Sequence, residues 1–147
     1  NLRLHKIGFV FQAYNLIPVL SAIENVEFVM LLQGVSARER QQRAKAILGD
    51  VGLADKYDRR PAELSGGQQQ RVAVARAIVS NPSIVLADEP TANLDSETGK
   101  GLLKMMRRMN EEKNVTFIFS THDKMVMDYA RRLVLLRDGR LADDRVK

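Results

Sequence analysis

The sequence predicts an α/β domain with a mostly parallel sheet, joined to a helical subdomain. Three observations carry this. Short apolar runs at 7–11, 84–87 and 115–119 alternate with helical patterns. Two consecutive amphipathic helices, each opened by a capping string, occupy the stretch after residue 20. The polar residues Gln12, Asp88, Glu89 and His122 each follow one of the apolar runs. In parallel sheets that is where ligands gather, beyond the C-terminal ends of the strands.

Taken in order, Ile7-Gly8-Phe9-Val10-Phe11 reads as a buried strand ending at Gln12, and 13–18 as a loop. Ser21-Ala22-Ile23-Glu24 has capping-box form, with Ile23, Val26 and Met30 on one helical face and Gly34 as the stop. Ser36-Ala37-Arg38-Glu39 is a second such box, opening a helix with an Ala44, Ile47, Leu48, Val51 stripe closed by Gly52. A loop through Arg59-Arg60-Pro61 leads to Ser65, where a helix rich in Ala and Val starts and runs to a break at Asn81-Pro82. The strand 84–87 follows. Asp95 or Ser96 caps the next helix, which turns Leu102, Leu103, Met106 and Met109 inward. Its Met105, Met106 and Met109 read as core rather than as a binding groove. Val115-Thr116-Phe117-Ile118-Phe119 reads as another uniformly apolar strand, followed by a short helix and a hairpin turning at Asp138-Gly139.

At 147 residues the chain fits one domain. Its 45% hydrophobic and 28% charged content is that of a folded globular chain rather than a disordered one. No apolar run approaches the ~20 residues that span a bilayer. The opening Asn1-Leu2-Arg3-Leu4-His5-Lys6 has neither an apolar signal core nor an initiator Met, and reads as a cut inside a larger protein. The absence of Cys excludes disulfide scaffolds, Cys-ligated zinc and thiol catalysis. The net charge of +5 is spread over scattered basic pairs, as on a solvated surface rather than a nucleic-acid face.

Two strings carry chemistry. Leu64-Ser65-Gly66-Gly67-Gln68-Gln69-Gln70-Arg71 is a glycine-containing turn opening onto a helix, with backbone N–H groups free to meet an anion. Ile84-Val85-Leu86-Ala87-Asp88-Glu89-Pro90 is an apolar strand ending in adjacent carboxylates. Asp88 suits Mg²⁺, through water, because that ion keeps much of its hydration shell. Glu89 can act as general base on an attacking water. Gln12 can reach metal or water with its amide, and His122 can donate to a phosphate oxygen. Gripping phosphate beside a metal and a base points to nucleoside triphosphate hydrolysis. Asp95 reads either as a helix cap or as a contact across an interface.

Together these strings resemble the ATPase subunit of ATP-binding-cassette (ABC) transporters, which is a P-loop NTPase. Phe9-Val10-Phe11-Gln12 is similar to the family's Q-loop, 64–68 to its signature motif and 84–89 to Walker B with the catalytic glutamate. Ala92-Asn93-Leu94-Asp95 is similar to the D-loop and Ser120-Thr121-His122-Asp123 to the switch-histidine loop. The resemblance implies a RecA-like α/β core from 1–12 and 81–147, with 13–80 as the helical subdomain. It implies ATP and Mg²⁺ as cofactors, and ATP hydrolysis with Glu89, His122 and Gln12 as catalytic residues. Asp88 and Gln12 would serve the metal. Ser65, Gly66, Gly67, Gln68 and Asp95 would contact ATP held by a second ATPase subunit. A membrane permease would be the other partner, nucleic acid would not be one, and the location would be cytoplasmic, on the inner face of the plasma membrane. Tyr14-Asn15-Leu16-Ile17-Pro18 is similar to the branch serving lipoprotein release, macrolide efflux and FtsE-like division complexes.

One departure stands out: no G-x-x-x-x-G-K-[S/T] loop occurs, and Gly99-Lys100 lies within a helix without the required spacing. The expectation is a core truncated at its N-terminus, with a gap or an unpaired sheet edge, that binds ATP weakly or not at all by itself while the full-length protein is an ATPase. Two other classes compete: a non-catalytic permease-docking module, and a soluble ABC ATPase of DNA maintenance. The latter is disfavoured because no sustained heptads separate Gln12 from Ser65.

Overall fold

The structure, a computed structural model, describes residues 5–147. The first four residues of the N-terminal stretch lie outside the described residues. Three parallel strands, β1 (Ile7–Val10), β2 (Ile84–Asp88) and β3 (Thr116–Ser120), form one sheet in the order β1-β2-β3. Val10 stands level with Ala87, and Ala87 with Phe119. The residues that follow all three strands therefore leave the sheet at one rim. A second sheet pairs β4 (Arg132–Arg137) with β5 (Arg140–Val146) antiparallel. Asp138 and Gly139 between them both have positive φ, 50° and 73°, as a type I′ turn requires.

Around these sheets lie the α-helices α1 (Ala22–Leu32), α2 (Ala37–Asp50), α3 (Gly66–Ile78), α4 (Ser96–Lys113) and α5 (Lys124–Tyr129), with a short 3₁₀ helix at Pro61–Glu63. The box at α1 forms as read: Ser21 N–H donates to Glu24 Oε1 at 3.0 Å and Glu24 N–H to Ser21 Oγ at 3.3 Å. Those Ser21 bonds hold the Glu24 carboxyl below its ordinary pKa. At α2 only half the box forms. Ser36 Oγ accepts from Glu39 N–H, but the Glu39 carboxylate turns to Arg43 at 3.6 Å, one helical turn on. The capping pattern in the sequence cannot tell which of two nearby donors a Glu will choose.

The core gathers Met30 of α1, Leu48 of α2, Ile78 of α3 and Leu102, Met106 and Met109 of α4, each less than 2% exposed. Burying each of these contributes roughly 1.5–3 kcal/mol by apolar transfer. Met105 joins them at 4% exposed, so the methionine face of α4 is core, as read. α3 lies so close to β1 that a Cβ on Gly8 would collide with the Ala77 carbonyl.

Two strand readings need correction. The sequence reads β1 as a buried strand and β3 as a uniformly apolar one, yet each buries only alternate positions at best. Both are edges of the three-stranded sheet. On β3 the side chains alternate between exposed and half-buried, and Ile118 is 50% exposed. An apolar run thus marks a strand of a parallel sheet without fixing how well its two faces are covered. Among the described residues, β3 has an unpaired outer edge and β4–β5 stands as its own sheet.

Candidate functional site

The rim beyond the parallel strands brings together the residues singled out there. Glu89 N–H donates to Ser120 O at 2.8 Å, locking the end of β2 to the end of β3. Glu89 adopts φ 43°, a left-handed conformation unusual for a residue with a side chain. That bend carries its carboxylate into the 120–123 loop. Oε1 accepts the His122 backbone N–H at 2.9 Å and Oε2 the Thr121 hydroxyl at 3.1 Å. His122 Nδ1 also lies 2.9 Å from Oε1, an approach that needs the proton on Nδ1. Asp123 closes the loop by accepting from Thr91 Oγ1 at 3.0 Å and capping α5 through Met125 N–H.

Gln12 leaves the same rim one strand away. Asn93 Nδ2 donates to its backbone carbonyl at 3.0 Å, tying the loop after β1 to the loop after β2. Among the described residues, neither the Gln12 side-chain amide nor the Asp88 carboxylate has a hydrogen-bond or ion-pair partner. Two hard oxygen donors are therefore left open at one rim. No group of three or more His, Cys, Asp or Glu able to hold a metal occurs among the described residues. The donor set fits Mg²⁺, which takes one or two protein oxygens and completes its shell with water and phosphate.

The turn at Ser65 opens α3 and borders the loops after β1 and β2 through Tyr14 and Leu94. Ser65 Oγ accepts Gln68 N–H at 3.2 Å, and Gln68 Oε1 accepts Ser65 N–H at 3.0 Å. This reciprocal box leaves the N–H groups of Gly66 and Gly67 as the first-turn donors without an intrahelical partner. The surroundings of these glycines are Tyr14, Leu94 and Thr98, not the carboxylates. A Cβ on Gly66 would lie 3.0 Å from the Tyr14 hydroxyl, and one on Gly67 would collide with Thr98 Cγ2. Asp95 stands beside them as the cap of α4, accepting Thr98 N–H at 3.1 Å. Its bonds to Thr98, side chain first, hold its carboxyl below the ordinary range. The structure thus makes two groups of the sequence-derived residues: Gln12, Asp88, Glu89 and His122 at the sheet rim, and Ser65, Gly66, Gly67, Gln68 and Asp95 at the start of α3 and α4.

Sequence reasoning missed four residues that build these groups. Thr121 and Asn93 lie inside strings already singled out, but nothing local announces their partners. Arg76 donates to Asn15 O at 2.7 Å and Tyr14 O at 2.9 Å, holding two consecutive residues of positive φ. Burial lowers its pKa from the ordinary arginine value. Gln70 is fully buried. Helical spacing puts it in line with buried Ala73, Val74 and Ala77, a phase that could have flagged a polar side chain on the inward face. A groove of about 200 Å³ lined by Arg43, Asp50, Asn81 and Lys113 includes none of the candidate residues. It sits past the C-terminal end of α3, the end away from Ser65.

Comparison with known proteins shows the family and the fold. Residues 2–92 match the sequence profile described as "ABC transporter". The chain is 52% identical over 140 residues to the macrolide export ATP-binding/permease protein MacB of Syntrophobacter fumaroxidans, covering 94% of this chain and 20% of that protein. It is 47% identical over 139 residues to the lipoprotein-releasing system ATP-binding protein LolD of Syntrophus aciditrophicus, covering 95% of this chain and 62% of that one. The chain therefore spans a fifth to about three fifths of the curated relatives it matches. Among solved structures, the ATP-binding cassette MJ0796 in a dimeric post-hydrolysis state bound to ADP and Pi superposes with a TM-score of 0.84 at 43% identity. That match covers 98% of this chain and 64% of the other.

Proposed function

The chain belongs to the ABC transporter family, as an ATP-binding cassette of the P-loop NTPase fold, and from that premise we propose that it works in an ATPase subunit that powers a membrane permease. The observation that carries the reading is the contact of Glu89 with His122 at a rim shared with Gln12 and Asp88. Hydrolysis of a γ-phosphoryl group needs neutralised charge, alignment and an oriented water, with little covalent work by the protein. Mg²⁺ would be held by Asp88, through water, and by Gln12, and when bound it neutralises triphosphate charge. Glu89 takes the proton of the attacking water. Thr121 and the His122 N–H anchor the Glu89 carboxylate at the rim, while the imidazole keeps its Nδ1 proton and turns that N–H from Glu89 to donate a hydrogen bond to a phosphate oxygen. ATP is the nucleotide.

Ser65, the N–H groups of Gly66 and Gly67, Gln68 and Asp95 grip ATP held by a second subunit. The helical part, 13–80, and the α/β part, 1–12 with 81–147, act as two working units. α3 touches both, packing on α1 and on β1. Relatives that release lipoproteins or export macrolides make a transport role in that branch the favoured one, at the inner face of the plasma membrane. None of the described helices is long and apolar enough to cross a membrane.

Residues 1–147 contain no G-x-x-x-x-G-K-[S/T] loop, so this stretch alone binds ATP weakly and does not turn it over. The test compares ATP binding and turnover by this stretch with those of the protein carrying its native flanking residues. Turnover by the flanked protein, lost in Glu89→Gln with binding retained, is the expected result. Unchanged turnover in Glu89→Gln would remove Glu89 from its role, and turnover by residues 1–147 alone would overturn the argument from the absent loop.

A further inference from the structure

Gln70 is a buried amide whose hydrogen bonds do not balance. Its Nε2 donates to Pro90 O at 2.6 Å and to Phe11 O at 3.3 Å. Both partners are carbonyl oxygens, which fixes the orientation of the amide: the NH₂ must face them. The other end, Oε1, is buried with no hydrogen-bond partner. A buried acceptor left without a partner is destabilising, so an apolar side chain would serve packing here better than glutamine. What the glutamine supplies is two donors on one nitrogen.

The two carbonyls are placed tellingly. Phe11 immediately precedes Gln12, and Pro90 immediately follows Glu89. One nitrogen of α3 therefore pins the backbone beside the amide that would reach metal or water and beside the proposed base. Asn93 adds a parallel tie, from the loop after β2 to Gln12 O. The same helix starts at the Ser65 turn, so a shift of that turn along the α3 axis pulls on both loops through Gln70. Arg76, two turns on, grips the next carbonyls of the first loop, at Tyr14 and Asn15.

We propose that Gln70 is a positioning residue, which sets the spacing of Gln12 from Glu89 and links both to the signature turn at the head of α3. The proposal rests on the roles given above to Gln12 and Glu89. It acts through backbone geometry, with no contact of its own to nucleotide.

The experiment uses the protein with its native flanking residues and the variant Gln70→Met, which keeps side-chain length and fills the space without donors. Two readouts are taken. In steady-state ATP hydrolysis, kcat falls roughly tenfold or more while KM for ATP changes by less than about threefold, the split expected when reacting groups are misplaced rather than binding lost. In amide hydrogen exchange of the nucleotide-free protein, protection falls together in 11–15 and 89–94 while α1 and α2 are unchanged. Gln70→Leu guards against a sulfur-specific effect and should repeat both results. Retained kcat would overturn the proposal, as would lost protection spread evenly over the fold or confined to α3. The exchange readout needs no turnover. If the unsubstituted protein fails to hydrolyse ATP, the ATPase reading falls, and paired loss of protection still sustains the pinning by Gln70 while its absence removes it.

Discussion

Replacing Gly67 by alanine tests how the signature turn is seated on α4. A Cβ at position 67 would collide with Cγ2 of Thr98, at the third position of α4. Thr98 has one easy escape, rotation about χ1, since threonine in helices divides between two rotamers. That rotation moves its hydroxyl away from Asp95, which its present bonds stabilise. Gly67→Ala is therefore destabilising by about 1–3 kcal/mol of overpacking, offset by up to about 1 kcal/mol of helix propensity gained. The net loss is about 1 kcal/mol, or a fall in Tm of roughly 2–4 °C for a domain of this size. Thr98→Ser removes only the offending methyl and keeps the hydroxyl. On the Thr98→Ser background the same Gly67→Ala change loses its clash and becomes stabilising. The assay is urea denaturation of the four proteins of this cycle, followed by far-ultraviolet circular dichroism. A Gly67→Ala effect of the same sign on both backgrounds refutes the packing argument.

Other consequences can be measured on the same protein. Ser21→Ala breaks the reciprocal cap of α1 and lowers stability by about 1 kcal/mol in urea denaturation, whereas Ser36→Ala, with its half-formed box, costs less. Arg76→Lys loses the forked grip on Tyr14 and Asn15 and raises amide exchange in 13–17 with little change at α4. The Asp95 carboxyl is held below its ordinary pKa when folded, so the cap's charge stabilises fully above the unfolded carboxylate value and is lost as pH falls through the folded one. Asp95→Asn keeps a capping oxygen but not the charge. The difference in urea midpoint between the two proteins should therefore shrink on going from neutral to acid pH, and a constant difference would contradict the assignment. Glu89→Gln should lower kcat by roughly 10²–10⁴-fold in the protein with native flanking residues, with ATP affinity kept.

Much of the rim was legible because its residues are tied to chain order. A strand of a parallel sheet delivers the residue that follows it to one edge, so Gln12, Asp88, Glu89 and His122 could be placed together before any coordinates. Caps were legible for the same local reason, since Ser21, Ser65 and Asp95 each find their partner three residues on. What sequence could not give is pairing over long separations. Nothing near Glu89 says that its carboxylate will turn to Thr121 and His122, and nothing near Gly67 names Thr98. The partial exposure of β1 and β3 was missed because an apolar run reports strand character, while coverage depends on what packs against each face. Gln70 lies between these cases: helix phase marks it as inward, but only the fold shows which two carbonyls it holds.

In the proposed assembly, catalytic rim and signature turn come from different copies. The most direct test mixes Glu89→Gln protein with Ser65→Arg protein, both with native flanking residues, and measures ATP hydrolysis of the mixture. In a paired assembly one of the two sites then combines an intact rim with an intact turn, so activity should rise well above that of either variant alone. A mixture no more active than the sum of its components would mean that each copy builds its site from its own residues, and the shared-site account would be wrong.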